Sequence, residues 1–466
     1  MEGCVKLMTG RAISLFPGVI AGVPDYGVFL TVDELNESSR RLAAEYPSLV
    51  SLRHAGTSRA GDEILLMKIG DYSRSAFLFG CPHPNEPIGT MMLEYLTRRL
   101  AEDNELRETL GYTWYVIKCI DPDGTRRNEG WFKGPFTPTH YARNFYRPAS
   151  FEQTEWTFPI KYKTLDWQTP IPETKALMDV IDRVHPDFMF SLHNAGFGGV
   201  YYYVSDECPP VYPVLTSLAR DQGLPLSLGE PEMPYARALA PAIYAMPSTR
   251  DSYEYHARYG SGDPAKAIPA GTSSFDYARE HGTRMTLVCE MPYFYDPRID
   301  DTSPTSVPRR GVVLESVSRE REFQKYLSGL VAAVGERLTM PNPFFVTLGQ
   351  TIKLGPKNAE AKEAWARRDP SMDVPATQAQ VFDNLYVDRF YRSLSMGMVV
   401  RGLDLQLAIT PDPELQRARD DAAGQFEALA AQLEKEMHYE VIPIRKLVSV
   451  QLGAALYMAD YLAGAV

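Results

Sequence analysis

The sequence predicts an α/β protein in which helices cover both faces of a mixed or parallel sheet, followed by a region built of helices alone. Two observations lead to this prediction. Up to about residue 310, short apolar runs typical of buried strands alternate with amphipathic stretches of helical length. Beyond that point helical periodicity dominates and strand-like alternation is scarce. Alternating strands and helices imply right-handed crossovers, which cover both faces of the sheet.

The elements of the α/β part can be assigned in order. A helix is predicted over residues 32–46, because its apolar residues recur at helical spacing, acidic residues open it and Pro47 ends it. The later helices are predicted over Ile88–Leu100 and Lys175–Val184. The predicted strands are Val50–Leu52, Ile64–Ile69, Ser75–Gly80, Tyr112–Ile120, Asp187–Leu192 and Arg284–Cys289.

The C-terminal part is predicted to be a helical region. Its helical segments are Val312–Leu338, Thr377–Leu403, Pro413–His438 and Leu447–Leu462. Because 466 residues exceed the usual size of one domain, we expect an α/β domain over residues 1–310 and a helical region over residues 311–466. Packing or dimerisation is the expected role of this region, so a homo-oligomer formed through these helices is a further expectation.

Composition and charge exclude several classes of protein. The chain is 44% hydrophobic and 23% charged, which is ordinary for a globular protein with a real core. Its net charge is −11 and its basic pairs are short and scattered, so we expect no nucleic-acid partner. No stretch reaches the roughly 18 apolar residues that a membrane helix needs. A soluble protein without a membrane partner is therefore expected.

The cysteines and the N-terminal segment indicate a cytoplasmic protein. An odd number of cysteines without a CxxC pair argues against a disulfide framework and favours reduced thiols. Residues 13–23 are apolar and follow Lys6 and Arg11, but Pro17 interrupts them and no clear cleavage site follows. We interpret this segment as the edge of the domain rather than an export signal. The five cysteines are Cys4, Cys81, Cys119, Cys208 and Cys289.

Two short motifs supply a candidate metal site. His83 and Glu86 stand three residues apart in the Pro-rich turn CPHPNEP, which directly follows the apolar run SAFLFG. His193 ends another apolar run, in FMFSLHN. Ligands of such sheets gather beyond the carboxyl ends of the strands, and catalytic zinc is typically held by two His and one Glu with a fourth position for water. The sequence therefore predicts a zinc ion held by His83, Glu86 and His193.

Glu290 is the predicted general base. It closes the apolar run RMTLVC, where burying a carboxylate is unfavourable unless it has a partner or a chemical task. A desolvated Glu beside zinc-bound water can take a proton from it and pass this proton to a leaving amine. The alternative is a buried Glu that only forms a salt bridge.

Arginines are predicted to neutralise the anionic parts of the substrate and of the reacting amide. Arg126, Arg127 and Arg143 fall between the turn DPDG and the end of the segment ARNFYRP. A guanidinium can hold a carboxylate through two parallel hydrogen bonds, and amide hydrolysis needs positive charge where the carbonyl oxygen becomes anionic. Spacing alone does not divide these two roles among the three arginines.

The ordered set HPNE, DPDG, RNF, SLHN, GTSSFDY and CEM resembles the carboxypeptidase A-like (funnelin) metallocarboxypeptidases. The similarity runs from Val32 to Pro297 and includes the segment YPSLVSLRHAGTSRAGDEILLMKIG. Each fragment alone is common, whereas the combination in this order is specific. The resemblance implies an α/β/α sandwich around a mixed sheet of about eight strands, one zinc ion, and removal of the C-terminal residue from a peptide.

Matched by motif, the resemblance assigns roles to single residues. His83, Glu86 and His193 are similar to the zinc ligands of the family, and Glu290 matches its general base. Arg127, after DPDG, resembles the arginine that polarises the carbonyl oxygen.

The resemblance also implies the substrate-binding residues. Arg143 of ARNF resembles the arginine that binds the terminal carboxylate, and its neighbour Asn144 is expected to contact the substrate too. Within GTSSFDY, Ser274 and Phe275 are the expected substrate contacts. Phe275 matches the floor of the side-chain pocket, where a bulky apolar ring would disfavour basic side chains.

Two positions depart from the family pattern. The family usually has Asn directly before the carboxylate-binding arginine, whereas this chain has Ala142. A Tyr commonly precedes the GTSSFDY-like segment, but Ile268 stands at that place, and Tyr253, Tyr255 or Tyr259 would have to replace it. Both changes weaken carboxylate recognition and leave the metal side intact.

The sequence thus predicts a zinc-dependent hydrolase that cleaves a C-terminal residue from a peptide or peptide-like amide through a metal-activated water. Because of the two departures, hydrolysis is better supported than strict carboxypeptidase specificity. One alternative is a zinc amidohydrolase or deacylase that acts on a small N-acyl amino acid or a specialised metabolite. Another is a non-catalytic binding protein with this fold, although its signature would be loss of a ligand or the base, and all four residues are present.

Overall fold

A nine-stranded mixed sheet forms the centre of the fold. The structure is a computed structural model and describes residues 10–464. The strands in that part of the chain are β1 (Val50–Thr57), β2 (Glu63–Ile69), β3 (Arg74–Phe79), β4 (Tyr112–Ile117), β5 (Ile160–Tyr162), β6 (Leu165–Trp167), β7 (Phe188–His193), β8 (Tyr201–Val204), β9 (Ala238–Ala240), β10 (Ile243–Ala245), β11 (Met285–Glu290), β12 (Phe294–Tyr295), β13 (Pro304–Pro308), β14 (Pro375–Thr377) and β15 (Glu440–Val441).

The sheet order is β1-β2-β4-β3-β7-β11-β8-β10-β9. The four strands β4, β3, β7 and β11 run parallel, while β2 and β8 join them in antiparallel fashion on either side. The mixed sheet agrees with the prediction, and it has one strand more than the eight or so expected. The additional edge is the short hairpin of β9 and β10, whose strands have three residues each.

Helices occupy most of the remaining chain. Their bounds are α1 (Gly10–Ala21), α2 (Val32–Glu45), α3 (Ile88–Glu102), α4 (Asn104–Leu110), α5 (Pro122–Arg126), α6 (Glu129–Phe132), α7 (Pro138–Asn144), α8 (Pro172–Val184), α9 (Tyr212–Asp221), α10 (Thr249–Tyr259), α11 (Ser274–Glu280), α12 (Arg309–Gly335), α13 (Pro343–Arg368), α14 (Gln378–Phe382), α15 (Asp388–Leu407), α16 (Pro413–Glu436) and α17 (Ile444–Gly464). A single π-helical turn, Asp383–Val387, leads from α14 into α15.

The central strands bury both of their faces. Ala76 and Leu78 of β3 belong to the apolar cluster that contains α3 and α17, whereas Phe77 and Phe79 belong to the cluster that contains α8. All four side chains are fully buried. Successive residues of a strand point to opposite faces, so an unbroken apolar strand requires helices on both sides. The predicted α/β/α sandwich is therefore confirmed.

The N-terminal apolar segment is part of the body of the protein. Most of residues 13–23 lie in α1, and the buried ring of Phe16 packs edge-on against Tyr457 of α17 with centroids 5.2 Å apart. Within residues 10–464, none of the helices is both long enough and apolar enough to cross a membrane.

Four of the five cysteines can be located. Cys81, Cys119, Cys208 and Cys289 are buried and unpaired by disulfides within the described residues. Cys4 lies outside the described residues, as does Lys6.

The C-terminal helices form two groups. Helix α17 returns to the sandwich, where it packs on α3 and β7, and Gln451 Nε2 donates to the carbonyl oxygens of His193 (2.8 Å) and Cys289 (3.3 Å). Helices α12, α13, α15 and α16 instead pack on one another, and α15 also packs against α7. The helical region thus contacts the preceding part of the chain through α17, through α15 on α7 and through α13 on α10. The boundary at residue 310 stays a prediction.

Candidate active site and metal centre

The predicted ligands and base meet at one edge of the sheet. Strands β3, β7 and β11 are parallel neighbours, so their carboxyl ends lie side by side. His83 and Glu86 occupy the turn after β3, while His193 and Glu290 end β7 and β11 and lie opposite each other in register. All four residues are buried. The sheet thus brings together side chains from three distant segments.

The turn that carries His83 has a fixed path. A Cβ added to Gly80 would lie 2.5 Å from the carbonyl oxygen of Lys118, so only glycine fits there. Cys81 has a φ of 49°, in the left-handed region. At the other end of the turn, the backbone N–H of Ile88 donates to Asn194 Oδ1 at 3.0 Å. This bond ties the start of α3 to the residue after His193.

Three candidate ligand atoms form a triangle with nearly equal edges. His83 Nδ1 and His193 Nδ1 are 3.2 Å apart, and Glu86 Oε2 lies 3.2 Å from each of them. Two ligands at about 2.0–2.1 Å from one tetrahedral zinc ion are separated by about 3.3 Å. These residues therefore fit a zinc ion that has three protein ligands and an open fourth position.

The electrostatics of the triangle also favour a cation. Burial, with Arg147 adding, lowers the pKa of His83 to about 3, so its imidazole is neutral and can offer a lone pair to a metal ion. Burial disfavours the charged forms of Glu86 and His193, but the two groups stabilise each other's charge. The imidazoles hold the pKa of Glu86 below its usual range. Glu86 in turn raises the pKa of His193 to about 9. A proton on His193 thus occupies the place where a metal ion would supply positive charge.

A chain of hydrogen bonds to the second ring nitrogen of His193 orients its imidazole. Its Nε2 lies 2.8 Å from Ser191 Oγ, which donates to Glu155 Oε2 at 3.1 Å. The other carboxylate oxygen of Glu155 accepts from Ser274 Oγ at 2.6 Å. Metal-binding imidazoles are normally fixed by such contacts of their second nitrogen. Within residues 10–464, the buried Nε2 of His83 has no hydrogen-bond partner.

Glu290 stands beside the triangle without belonging to it. Its nearer oxygen is 3.9 Å from His193 Nδ1, and its side chain makes no hydrogen bond to the residues that the structure describes. Burial raises the pKa of Glu290 well above its ordinary value, with Glu86 and Glu232 adding to the effect and His193 opposing it. A carboxyl group in this position can both accept and release a proton.

The four residues open into a cavity of about 450 Å³. This volume suits a small ligand or a short peptide. Its floor and sides come from the α/β part, whereas helices from the C-terminal region supply its roof. The roof residues are Ser316, Lys362, Asp383, Asn384, Val387, Asp388, Tyr391 and Leu394.

The structure does not bring the two role-assigned arginines to this cavity. Arg127 lies over the ring of Tyr146, 5.5 Å from its centroid. Arg143 donates to Glu427 Oε1 at 2.6 Å and lies over the ring of Phe426, so α16 holds it on the outer side. The roles predicted for both arginines remain predictions that this arrangement does not support.

The other predicted substrate contacts also lie outside the cavity lining. Asn144 Nδ2 donates to the carbonyl oxygen of His140 at 3.0 Å. Ser274 is buried, and its hydroxyl donates a hydrogen bond to Glu155. Phe275 is also buried, and the guanidinium of Arg279 lies 6.0 Å from the centroid of its ring. The positions of these three side chains give no support to direct contact with a substrate.

Arg147 lines the cavity near the predicted metal site, and no role was predicted for it from the sequence. Its Nη1 donates to Glu86 Oε1 at 3.1 Å, and its Nε donates to Gln153 Oε1 at 3.3 Å. Within the described chain, its Nη2 makes no hydrogen bond. The segment ARNFYRP contains this residue, so the signal was present, but the resemblance directed attention to Arg143.

The tyrosines near the site also differ from the candidates named by sequence. Tyr253, Tyr255 and Tyr259 pack in apolar clusters away from the cavity. The aromatic side chains that line it next to Glu290 come from β8, β10 and α15. These residues are Tyr201, Tyr203, Tyr244 and Tyr391.

Three of the solved structures to which this chain is similar are described as carboxypeptidases. The metallo-carboxypeptidase from Burkholderia cenocepacia is 16% identical, with 56% of this chain and 60% of that one covered and a TM-score of 0.30. The carboxypeptidase A from Helicoverpa armigera is 12% identical, with 77% and 80% covered and a TM-score of 0.37. The metallo-carboxypeptidase from Pseudomonas aeruginosa is 16% identical, with 55% and 59% covered and a TM-score of 0.29.

This chain thus matches about 60% of the length of the Burkholderia protein. The sequence profile of the zinc carboxypeptidase family, Peptidase_M14, matches residues 35–297, which is more than half of the 466 residues and includes the whole ligand triangle and Glu290. The chain belongs to the zinc carboxypeptidase family.

Proposed function

We propose that this protein is a zinc-dependent hydrolase that cleaves a short peptide or peptide-like amide, releasing its C-terminal residue. The observation that carries the proposal is the triangle of His83, Glu86 and His193 with edges of 3.2 Å, beside a buried carboxyl group that is not part of it. Family membership supports zinc as the metal and a peptide as the substrate.

The three triangle residues would hold the metal through both Nδ1 atoms and the carboxylate of Glu86. Zinc in such a site supplies a Lewis acid that polarises a carbonyl group and makes water a stronger acid. Glu86 keeps its charge because the two imidazoles and Arg147 stabilise it. The hydrogen bond from Asn194 N to Glu86 Oε2, at 3.1 Å, fixes the carboxylate further.

Glu290 is the proposed proton carrier. Its carboxylate accepts a proton from the attacking water and then delivers this proton to the leaving nitrogen, so that a neutral amine departs. Its position next to His193 and at the cavity wall supports this role. Arg147 is the proposed anchor for negative charge, either on the carbonyl oxygen or on a substrate carboxylate. Its Nη1 contacts Glu86, and its Nη2 makes no hydrogen bond within the described chain.

A small substrate is part of the proposal. The cavity holds about 450 Å³, and α12, α13 and α15 cover it, so a long polypeptide has little room. Arg143, the residue expected to recognise a terminal carboxylate, is paired with Glu427. These two observations favour, as the second candidate, an amidohydrolase that acts on a small N-acyl amino acid.

The test is a product analysis. Zinc-loaded protein is incubated with a library of short peptides and N-acyl amino acids, and the products are identified by mass. We expect release of a C-terminal residue, with loss of turnover in His83→Ala and after treatment with a chelator. Cleavage restricted to N-acyl amino acids would select the second candidate. Absence of any product from zinc-loaded protein would contradict both.

A further inference from the structure

A row of tyrosines starts beside Glu290 and crosses two neighbouring strands. Tyr201 of β8 lies opposite Glu290 of β11, and Tyr203 points to the same face because it is two residues further along. Tyr203 in turn pairs with Tyr244 of β10. The ring centroids of Tyr201 and Tyr203 are 5.7 Å apart, and those of Tyr203 and Tyr244 are 5.8 Å apart. The three rings form a continuous aromatic wall, which we name the tyrosine wall.

A carboxylate without a counter-ion borders the tyrosine wall. Glu232, in the loop between α9 and β9, accepts hydrogen bonds from the hydroxyls of Tyr201 (3.3 Å) and Tyr203 (3.2 Å). Among residues 10–464, no basic side chain forms an ion pair with it. Glu230, only two residues earlier, differs because Arg309 is paired with it. The negative charge of Glu232 is therefore available to a ligand.

Two further hydroxyl-bearing rings are placed for a ligand. Tyr244 is only 9% exposed and lines the cavity, yet its hydroxyl makes no hydrogen bond to the described part of the chain. Tyr391 of α15 lines the cavity from the roof. The side chain of Tyr391 is 45% exposed, so a ligand in the cavity can reach it. An aromatic enclosure with a carboxylate at its border results.

The ionisable side chains that line the cavity are mostly acidic. Besides Glu86 and Glu290, the acidic residues that line it are Glu155, Glu230, Glu232, Asp383 and Asp388. Its arginine and lysine side chains are Arg147 and Lys362. Arg147 is paired with Glu86 near the metal site, whereas Lys362 lies near Asp383. Neither of these two basic side chains forms an ion pair with Glu232.

We propose that Glu232 and the tyrosine wall bind an ammonium or guanidinium group of the substrate, an inference that rests on the proposed function and specifies its substrate class. Organic cations bind to the faces of aromatic rings and to carboxylates, and both are present here. Adjacent strands are about 4.7–4.9 Å apart, so the wall spans roughly 5–10 Å from Glu290. The cation is then a few bonds from the amide that reacts.

Two parts of a short peptide satisfy this geometry. One is the α-ammonium of a free amino terminus, and the other is the side chain of Lys or Arg. The proposal departs from the apolar preference expected from Phe275, because that ring does not line the cavity.

The first test measures binding without hydrolysis. Isothermal titration calorimetry of the zinc-loaded protein compares benzamidinium with its neutral analogue benzamide. We expect benzamidinium to bind more tightly, and Glu232→Gln to weaken it about tenfold or more while benzamide binding stays unchanged. The matched control is Glu207→Gln, at an exposed carboxylate paired with Arg237 outside the cavity, which should change neither affinity. Equal binding of the two probes, or an unchanged affinity in Glu232→Gln, would overturn the proposal.

The second test separates the two sources of the cation. Values of kcat/KM are compared for peptides that end in Lys or norleucine, in Arg or citrulline, and with a free or an acetylated amino terminus. Preference for Lys and Arg identifies the side chain, whereas preference for the free terminus identifies the α-ammonium, and either preference should shrink in Glu232→Gln. Cleavage of the neutral peptides at equal rates contradicts the proposal. Benzamidinium binding that depends on Glu232, without cleavage of any peptide, would keep the cation site and reject the proposed function.

Discussion

His83 and His193 present the same ring nitrogen to each other, and their Nδ1 atoms are 3.2 Å apart. Two imidazole lone pairs at this distance repel unless a proton or a metal ion lies between them. The carboxylate of Glu86 closes the arrangement from the third side. This relationship is the physical basis for proposing a metal-dependent reaction, and it defines what each neighbouring residue should do.

Glu290→Gln should abolish proton transfer and leave the metal site intact. Removal of a general base typically lowers the rate by about 10²–10⁴-fold. Glu290 is 3.9 Å from His193 Nδ1 and is not part of the ligand triangle, so zinc content should stay at the wild-type value. Steady-state kinetics and elemental analysis on the same preparations measure both. A variant that hydrolyses as fast as the wild type would exclude Glu290 as the base.

Substitution of Arg147 should affect catalysis strongly, whereas substitution of the two arginines assigned by resemblance should not. If Arg147 neutralises developing charge, Arg147→Gln should lower kcat/KM on the order of 10²–10³-fold. Arg127→Gln and Arg143→Gln should have small effects, because Arg127 lies over Tyr146 and Arg143 is paired with Glu427. Parallel kinetics of the three variants decides the assignment. A large loss in Arg143→Gln with a normal Arg147→Gln would restore the assignment by resemblance.

Glu155 and Ser191 should act on the metal through His193. Because Ser191 Oγ bonds to His193 Nε2 and donates to Glu155, Ser191→Ala removes the contact that orients the ring. Loss of such a contact typically weakens metal binding by about 10–100-fold. Competition with a zinc chelator measures this affinity. The control is Ser217→Ala, which removes a hydroxyl from α9 outside the cavity lining. Unchanged zinc affinity in Ser191→Ala would show that the relay has no orienting role.

Asp121 should make the stability of the fold depend on pH. This residue of the DPDG turn is fully buried and accepts a hydrogen bond from Gly124 N at 2.9 Å. Burial raises the pKa of Asp121 to about 7, against about 3.9 in an unfolded chain. Between these values the folded state binds more protons, so stability falls as pH rises from about 4 to about 7. The charged groups that act on it are Arg59, Glu173 and Asp123.

Asp121→Asn keeps an acceptor oxygen for Gly124 and cannot ionise. Its free energy of unfolding, relative to the wild type, should therefore increase between pH 5 and pH 8, by on the order of 2–3 kcal/mol. Denaturant unfolding at the two pH values measures the difference. A difference between the two proteins that does not change with pH would contradict the shifted pKa of Asp121.

The metal ligands and the base could be predicted from the sequence because each of them directly follows or ends a recognisable apolar run. His193 and Glu290 each end an apolar run, and His83 and Glu86 follow one within a Pro-rich turn. In a parallel sheet the ends of such runs must meet at one edge. The order of three distant segments was therefore enough to predict which side chains converge.

The walls of the cavity were not readable, because they depend on contacts between distant parts of the chain. Whether Arg143 faces the cavity depends on its pairing with Glu427, nearly 300 residues later in the sequence. Tyr391 reaches the cavity only because α15 packs across α7. Helix α13 was not predicted either, since Pro356 interrupts its helical signal, and its packing on α12 and α15 outweighs that weakness.

Anomalous scattering at the zinc absorption edge, recorded from crystals of the zinc-loaded protein, tests the central claim most directly. We expect one strong peak about 2.0–2.2 Å from His83 Nδ1, from His193 Nδ1 and from a carboxylate oxygen of Glu86, and no such peak in His83→Ala. A crystal of zinc-loaded wild-type protein without a peak among these three atoms would contradict the account.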